Sequence, residues 1–98
     1  MKNLTSQSVK ETLSALKPTL AEKYKIRKIG IFGSFADGTF NDTSDIDILV
    51  EFDETPGWDF FQLNRELESV FHRNVDLITP DALKSIIKEN ILNRVLFV

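Results

Sequence analysis

The chain has 98 residues, 42% of them hydrophobic and 28% charged, with a formal net charge of −3. That suffices for one domain with a modest core, and the excess of acid argues against direct nucleic-acid binding. The absence of cysteine excludes disulfides and thiolate metal sites. No apolar run approaches the roughly 20 residues of a membrane span. Met1-Lys2-Asn3-Leu4-Thr5 opens into an amphipathic pattern with no signal-peptide core. The expectation is a single cytoplasmic domain over residues 1–98.

Val9, Leu13, Leu16 and Leu20 recur at helical spacing and predict a first helix from about Thr5 to Lys23. Pro18 lies inside it and predicts a kink or a break. Ile26 to Phe32 reads as a strand, and residues 35–44, rich in Gly, Asn, Asp and Thr, as a loop or short helical turn. Asp45 to Phe52 predicts a second strand. Its alternation puts Asp45, Asp47, Leu49 and Glu51 on one face and Ile46, Ile48, Val50 and Phe52 on the other. Thr55-Pro56 has the form of an N-cap followed by proline at the first helical position. The helix it opens carries Phe60, Leu63, Leu67, Val70 and Phe71 as an apolar stripe and ends near His72. Val75 to Ile78 is a short strand. Thr79-Pro80-Asp81 repeats the start signal for a third helix, with Leu83, Ile86, Ile87 and Ile91 as its apolar face. Arg94 to Val98 is compatible with more helix, an edge strand or a docked tail. This order predicts an α/β (α+β) domain, a small mixed sheet flanked by helices.

The chemistry concentrates at Gly33-Ser34 and, after ten intervening residues, at Asp45-Ile46-Asp47. Two carboxylates two apart on a strand point the same way and can share a divalent cation. A Gly-Ser turn beside them offers backbone N–H groups and a hydroxyl to an anion. Asp76, set within a short apolar strand, is costly to bury without a partner. If its strand lies beside the second, Asp76 completes a triad with Asp45 and Asp47. Three clustered carboxylates are sensible around Mg²⁺ or a similar hard cation. The chemistry that suits them is in-line displacement at phosphorus, with Asp76 acting on the nucleophile. No Lys or Arg occurs from Ile29 through Asn64. Within that stretch Asp37, Asp42, Asp53, Glu54 and Asp59 read as solvated acids, and Glu51 as structural.

These residues resemble the signature of the nucleotidyltransferase superfamily that includes DNA polymerase beta. The whole chain resembles its smallest branch, the minimal nucleotidyltransferase (MNT) proteins, through Ile31-Phe32-Gly33-Ser34-Phe35-Ala36-x-Gly38, Ser44 to Phe52, and Val75-Asp76-Leu77-Ile78-Thr79. Lys88-Glu89-Asn90-Ile91-Leu92 is also of the family type. The resemblance implies an antitoxin paired with a HEPN-domain ribonuclease toxin, transferring AMP from ATP onto a tyrosine of that toxin. It implies that Gly33 and Ser34 hold the polyphosphate, that Asp45 and Asp47 ligate Mg²⁺ with Asp76 completing the set, and that Asp76 activates the acceptor hydroxyl. One position departs from the pattern: Asp37 stands where the family often carries a basic residue. An acid there weakens attraction for a triphosphate, and it favours the rival reading of an antitoxin that acts by binding alone. Transfer to RNA ends or to a small molecule is a third reading, RNA being the weaker acceptor for an acidic surface.

The chain has no room for the extra substrate-binding domain of larger nucleotidyltransferases, so a partner protein is expected to complete the site. Phe35, Phe40, Trp58 and Phe97 are candidate interface aromatics, with core packing the competing role for each. His72 reads as a capping or surface residue, Arg65 and Arg73 as phosphate contacts or, the commoner role for helix-surface arginines, solvated side chains, and Tyr24 as a cover for the first helix.

Overall fold

In the computed structural model, which describes residues 4–98, helix α1 (Ser6–Tyr24) begins at a reciprocal cap. Thr5 Oγ1 accepts from the Ser8 amide and Ser8 Oγ accepts from the Thr5 amide, so two orphan donors are satisfied together. The reading that no leader core is present rests partly on residues 1–3, which lie outside the described residues. The helix runs through Pro18 without a break. Pro18 is exposed, as is Ser14 one turn earlier, so the backbone bond that proline removes falls on the solvent face. Leu13 and Leu20 meanwhile hold the buried face at 0% and 1% exposure. Lys25 ends the helix in the left-handed region, φ 57°, its amide donating to the Ala21 carbonyl.

Strand β1 (Ile26–Phe32) is followed by the single-turn helix α2 (Ser34–Asp37), strand β2 (Ile46–Phe52), helix α3 (Asp59–Phe71), strand β3 (Val75–Ile78), a 3-10 turn (Pro80–Ala82), helix α4 (Ser85–Arg94) and strand β4 (Leu96–Phe97). The sheet has four strands in the order β3-β2-β1-β4. β2 lies antiparallel to β1 and parallel to β3, with α3 as the crossover, and β4 lies antiparallel on the outside of β1. The fold is the expected small mixed sheet flanked by helices, with one more strand than expected. Of the three outcomes open for residues 94–98, the edge strand is the one taken.

The core lies between the sheet and helices α1 and α3. Val9, Leu13 and Leu20 from α1 and Leu63 and Leu67 from α3 cluster with Ile29, Ile31, Ile46, Ile48, Val50 and Leu77 from the strands. Burying each such side chain stabilises by roughly 1.5–3 kcal/mol. Phe35 joins this core, fully buried and stacked on Phe40 at 4.3 Å between ring centroids. It is therefore a core residue and not an interface aromatic.

Two helix starts differ from expectation. Helix α3 begins at Asp59, with Trp58 at its N-cap and no side-chain cap. Thr55-Pro56 instead lies in the connection that carries the chain from the end of β2 to the helical layer. Thr79-Pro80 opens only the 3-10 turn, and α4 starts at Ser85. The apolar face assigned to that last helix is not buried: Ile86 and Ile87 are 80% and 48% exposed. Of the apolar residues in that segment, only Leu83, Ile91 and Leu92 are half-buried.

Candidate active site

The end of β1, the beginning of β2 and the beginning of β3 meet at one end of the sheet. In register, Phe32 faces Asp47 across the antiparallel pair, and Asp47 faces Asp76 across the parallel pair. The chain leaves β1 through Gly33, at φ 68° and ψ −146°, a region open essentially to glycine alone. A Cβ added at Gly33 would overlap Asp47 Oδ2 and lie 3.1 Å from Asp47 Cγ. The glycine is therefore fixed twice, by backbone conformation and by the close approach of the carboxylate. Beyond it, the Ala36 and Asp37 amides return to the Gly33 carbonyl at 3.0 and 3.1 Å. This places Ser34, half-buried, at the first position of α2 beside the acids.

Asp45 stands just before β2, so both it and Asp76, the register partner of Asp47, lie near enough to Asp47 for their charges to act on it. Burial pushes the Asp47 carboxyl up, the charges of Asp76 and Asp45 push it further, and a hydrogen bond with Asp76 adds to this. The result is a pKa of about 6. Asp47 is half-buried, while Asp45 and Asp76 are exposed on either side of it. The carboxylates do not close on one point: among the described residues no three His, Cys, Asp or Glu side chains stand close enough together to hold one metal ion. The donor set nonetheless fits a hard divalent cation. All the donors are carboxylate oxygens, and a cation between them would turn their mutual repulsion into attraction. Asp45, Asp47 and Asp76 are the residues that could hold it.

The Asp37 carboxylate is exposed and hydrogen-bonded within its own turn. Its Oδ1 accepts from the Thr39 amide at 3.0 Å and the Thr39 hydroxyl at 2.6 Å. Those bonds, with a smaller contribution from the Arg94 charge, hold its carboxyl below the usual range. Among the other acids, Asp53 and Glu54 pair with Arg27 and Lys25 at 3.0 and 3.2 Å. Glu51 faces Lys28 across β1–β2, consistent with a structural role. Arg65 is exposed, as expected. His72 ends α3 in the left-handed region, φ 53°, as a capping residue.

Arg73 corrects the sequence reading. It is not solvated: its Nη1 donates to the Asn41 and Ser44 carbonyls, both at 3.0 Å. Sequence patterning misses it because the loop it holds is distant in the chain. The available signal is an arginine three residues before a strand aspartate, next to a helix end. An open groove of about 1020 Å³ lies apart from the three aspartates. Lys28, Phe60, Phe61, Lys88 and Phe97 are among the residues lining it. None of Gly33, Ser34, Asp45, Asp47 or Asp76 lines it, so the chemistry follows the carboxylates and not this groove.

A mixed sheet with a Gly-Ser turn and three aspartates at one end defines a minimal nucleotidyltransferase fold. The Polymerase beta, Nucleotidyltransferase family matches residues 14–98, and the chain belongs to that family. It is 38% identical over 99 residues to the protein adenylyltransferase MntA of Thermococcus cleftensis, covering 100% of both chains. It is 48% identical over 80 residues to a Methanocaldococcus jannaschii protein provisionally named a protein adenylyltransferase, covering 81% of this chain and 93% of that one. Among solved structures, one described as a minimal nucleotidyltransferase superposes with a TM-score of 0.83 at 24% identity, covering 98% of each chain. A toxin–antitoxin crystal structure with AMP-PNP superposes with a TM-score of 0.70 at 24% identity, covering 85% of this chain and 69% of that one. These two likenesses bear on the fold.

Proposed function

We propose that this protein is a cytoplasmic antitoxin that transfers AMP from ATP, with Mg²⁺, onto a tyrosine of a partner HEPN-family ribonuclease and so silences it. The observation that carries this reading is the meeting of Asp45, Asp47 and Asp76 beside Gly33-Ser34, in a chain that matches a named protein adenylyltransferase over its whole length.

Gly33 and Ser34 face the polyphosphate through backbone amides and a hydroxyl. Asp45, Asp47 and Asp76 hold Mg²⁺, which when bound offsets phosphate charge and makes an incoming hydroxyl more acidic. The acceptor oxygen bonds to the α-phosphorus, the bond from that phosphorus to the leaving pyrophosphate breaks, and Asp76 takes the acceptor's proton. Asp76 suits this role because it is exposed on β3, at an edge of the sheet, where a second protein can approach. Binding without chemistry draws its support from Asp37, which the Thr39 bonds hold as an anion.

The test is ATP-dependent labelling of the partner by the parent protein and by Asp45→Ala and Asp76→Ala. Loss of labelling in both variants supports transfer. Toxin inhibition that persists without ATP and in both variants favours binding alone.

A further inference from the structure

We infer that Arg73 is a positioning residue that sets the geometry of the carboxylate site. The inference rests on the reading above that Asp45, Asp47 and Asp76 hold a divalent cation.

Asp45 is exposed and lies before β2, at the end of a loop rich in Asn, Asp, Thr and Ser. Past Phe40, which stacks on Phe35, such a segment has little apolar burial to fix it. Local bonds shape it: Asn41 Oδ1 accepts from the Thr43 amide and hydroxyl at 2.9 and 2.8 Å, and Ser44 Oγ accepts from the Asn41 amide at 2.9 Å. Those bonds define the loop's form without saying where it sits. Two contacts tie it to the rest of the fold: Phe40, stacked on Phe35 at the loop's start, and the Arg73 guanidinium, through the paired bonds to the Asn41 and Ser44 carbonyls. The second of those carbonyls belongs to the residue immediately before Asp45.

The same guanidinium lies over the Phe35 ring, 5.4 Å from its centroid. Phe35 follows Ser34 directly, so this contact ties the Gly-Ser turn to the same anchor. On the chain itself, Arg73 is followed by Asn74, whose carbonyl accepts from the Ile46 amide at 3.0 Å. Val75 and Asp76 then enter β3, with the Val75 amide held by Glu68 Oε2 at 3.0 Å. One half-buried arginine thus links the loop that delivers Asp45, the turn that delivers Ser34 and the strand that delivers Asp76. A charged planar donor suits the task, since it can bond two carbonyls in its plane while stacking its face on a ring.

Charge makes the claim testable. A cation near three carboxylates repels a metal ion, so on electrostatics alone removing Arg73 would tighten metal binding. Positioning predicts the opposite sign. A phosphate-contacting arginine would leave binding of metal alone unchanged and would raise KM for ATP.

The experiment is titration of the protein with Mn²⁺ alone, followed by electron paramagnetic resonance, for the parent, Arg73→Ala, Arg73→Lys and, as a charge-matched control, Arg65→Ala. Amide hydrogen exchange is measured on the same four proteins. The expected result is Mn²⁺ binding weakened about tenfold in Arg73→Ala, largely restored in Arg73→Lys and unchanged in Arg65→Ala. Exchange should accelerate across residues 41–46 while the Ile48 and Val50 amides keep their protection. Tighter or unchanged Mn²⁺ binding in Arg73→Ala overturns the inference. If the parent itself binds no Mn²⁺, the metal-site reading fails instead. Exchange then decides the positioning claim: unaltered rates across residues 41–46 in Arg73→Ala overturn it, and selective acceleration there upholds Arg73 as the anchor of the loop.

Discussion

Gly33 and Asp47 fit each other so closely that the glycine leaves no room for a side chain where the aspartate carboxylate stands. The turn that would face phosphate and the acid that would face metal are thus one packed unit. Gly33→Ala should lose about 1–3 kcal/mol of stability, from the positive φ and the overlap together. In an Asp47→Ala background the overlap is gone, since the nearest remaining atom, Asp47 Cβ, is 3.4 Å from the added methyl. Urea unfolding of the four proteins of that double-mutant cycle should therefore be non-additive, with Gly33→Ala costing less when Asp47 is absent. Additive costs would mean that the two residues do not share this contact.

Asp47 is held in a site that disfavours its charge. Its folded pKa of about 6 lies above the 3.8 of an ordinary aspartate. Between those values the folded state binds more protons than the unfolded state, so stability falls as pH rises through that window. Asp47→Asn should then stabilise the metal-free protein at pH 7–8, by about 1–2 kcal/mol after screening by solvent. The gain should shrink toward pH 4, where Asp47 is protonated in the folded protein. Thermal unfolding across pH 4–8 measures it. A variant no more stable than the parent at pH 8 would contradict the account that burial and neighbouring like charge disfavour the ionised Asp47.

The contrast between these acids and α4 shows what the sequence carries and what it does not. Alternation along residues 45–52 places Asp45 and Asp47 on one face by covalent geometry alone, so that part of the site needs no tertiary information. The adjacency of Asp47 and Asp76 depends on which strands pair, and β2–β3 pairing follows from the short α3 crossover. Residues 85–94 show the opposite case. Their apolar spacing satisfies a helix, yet periodicity states only which residues share a side, not whether anything covers it, and Ile86 stays 80% exposed. Arg73 is illegible for a related reason. Its partners, the Asn41 and Ser44 carbonyls, are backbone atoms that every sequence has.

Between α1 and α3, Glu66 accepts from Lys23 Nζ at 2.8 Å and from the Tyr24 hydroxyl at 3.1 Å. These partners, Lys23 foremost, hold the Glu66 carboxyl below the range of an ordinary glutamate. A depressed carboxyl contributes stability that is present above the unfolded pKa and is lost as pH falls through the folded one. Glu66→Gln should cost about 1 kcal/mol or less at pH 7, where a charge-assisted bond to the tyrosine becomes a neutral one. Below pH 4 the parent and the variant should converge in Tm. A gap that stays constant from pH 7 to pH 3 would show that the charge of Glu66 is not the source.

Strand β4 lies against β1 at Gly30, where an added Cβ would stand 2.7 Å from both the Leu96 carbonyl oxygen and Val95 Cγ1, and 2.9 Å from Phe97 Cα. Gly30→Val should expel β4, at a cost of about 1–3 kcal/mol. The Val98 amide, which donates to the Ile29 carbonyl at 3.0 Å, should then exchange freely, while the β1–β2 amides remain protected. Retained protection at Val98 would show that β1 can yield to the larger side chain.

The most direct test of the transfer mechanism is the intact mass of a HEPN-family ribonuclease partner after incubation with this protein, ATP and Mg²⁺. An Asp45→Ala/Asp47→Ala variant runs alongside, and peptide mapping locates the modified residue. The account predicts a gain of one or more AMP units on a tyrosine, absent with the variant. A partner of unchanged mass that is still bound and inhibited would contradict transfer and leave a protein that neutralises by occupancy.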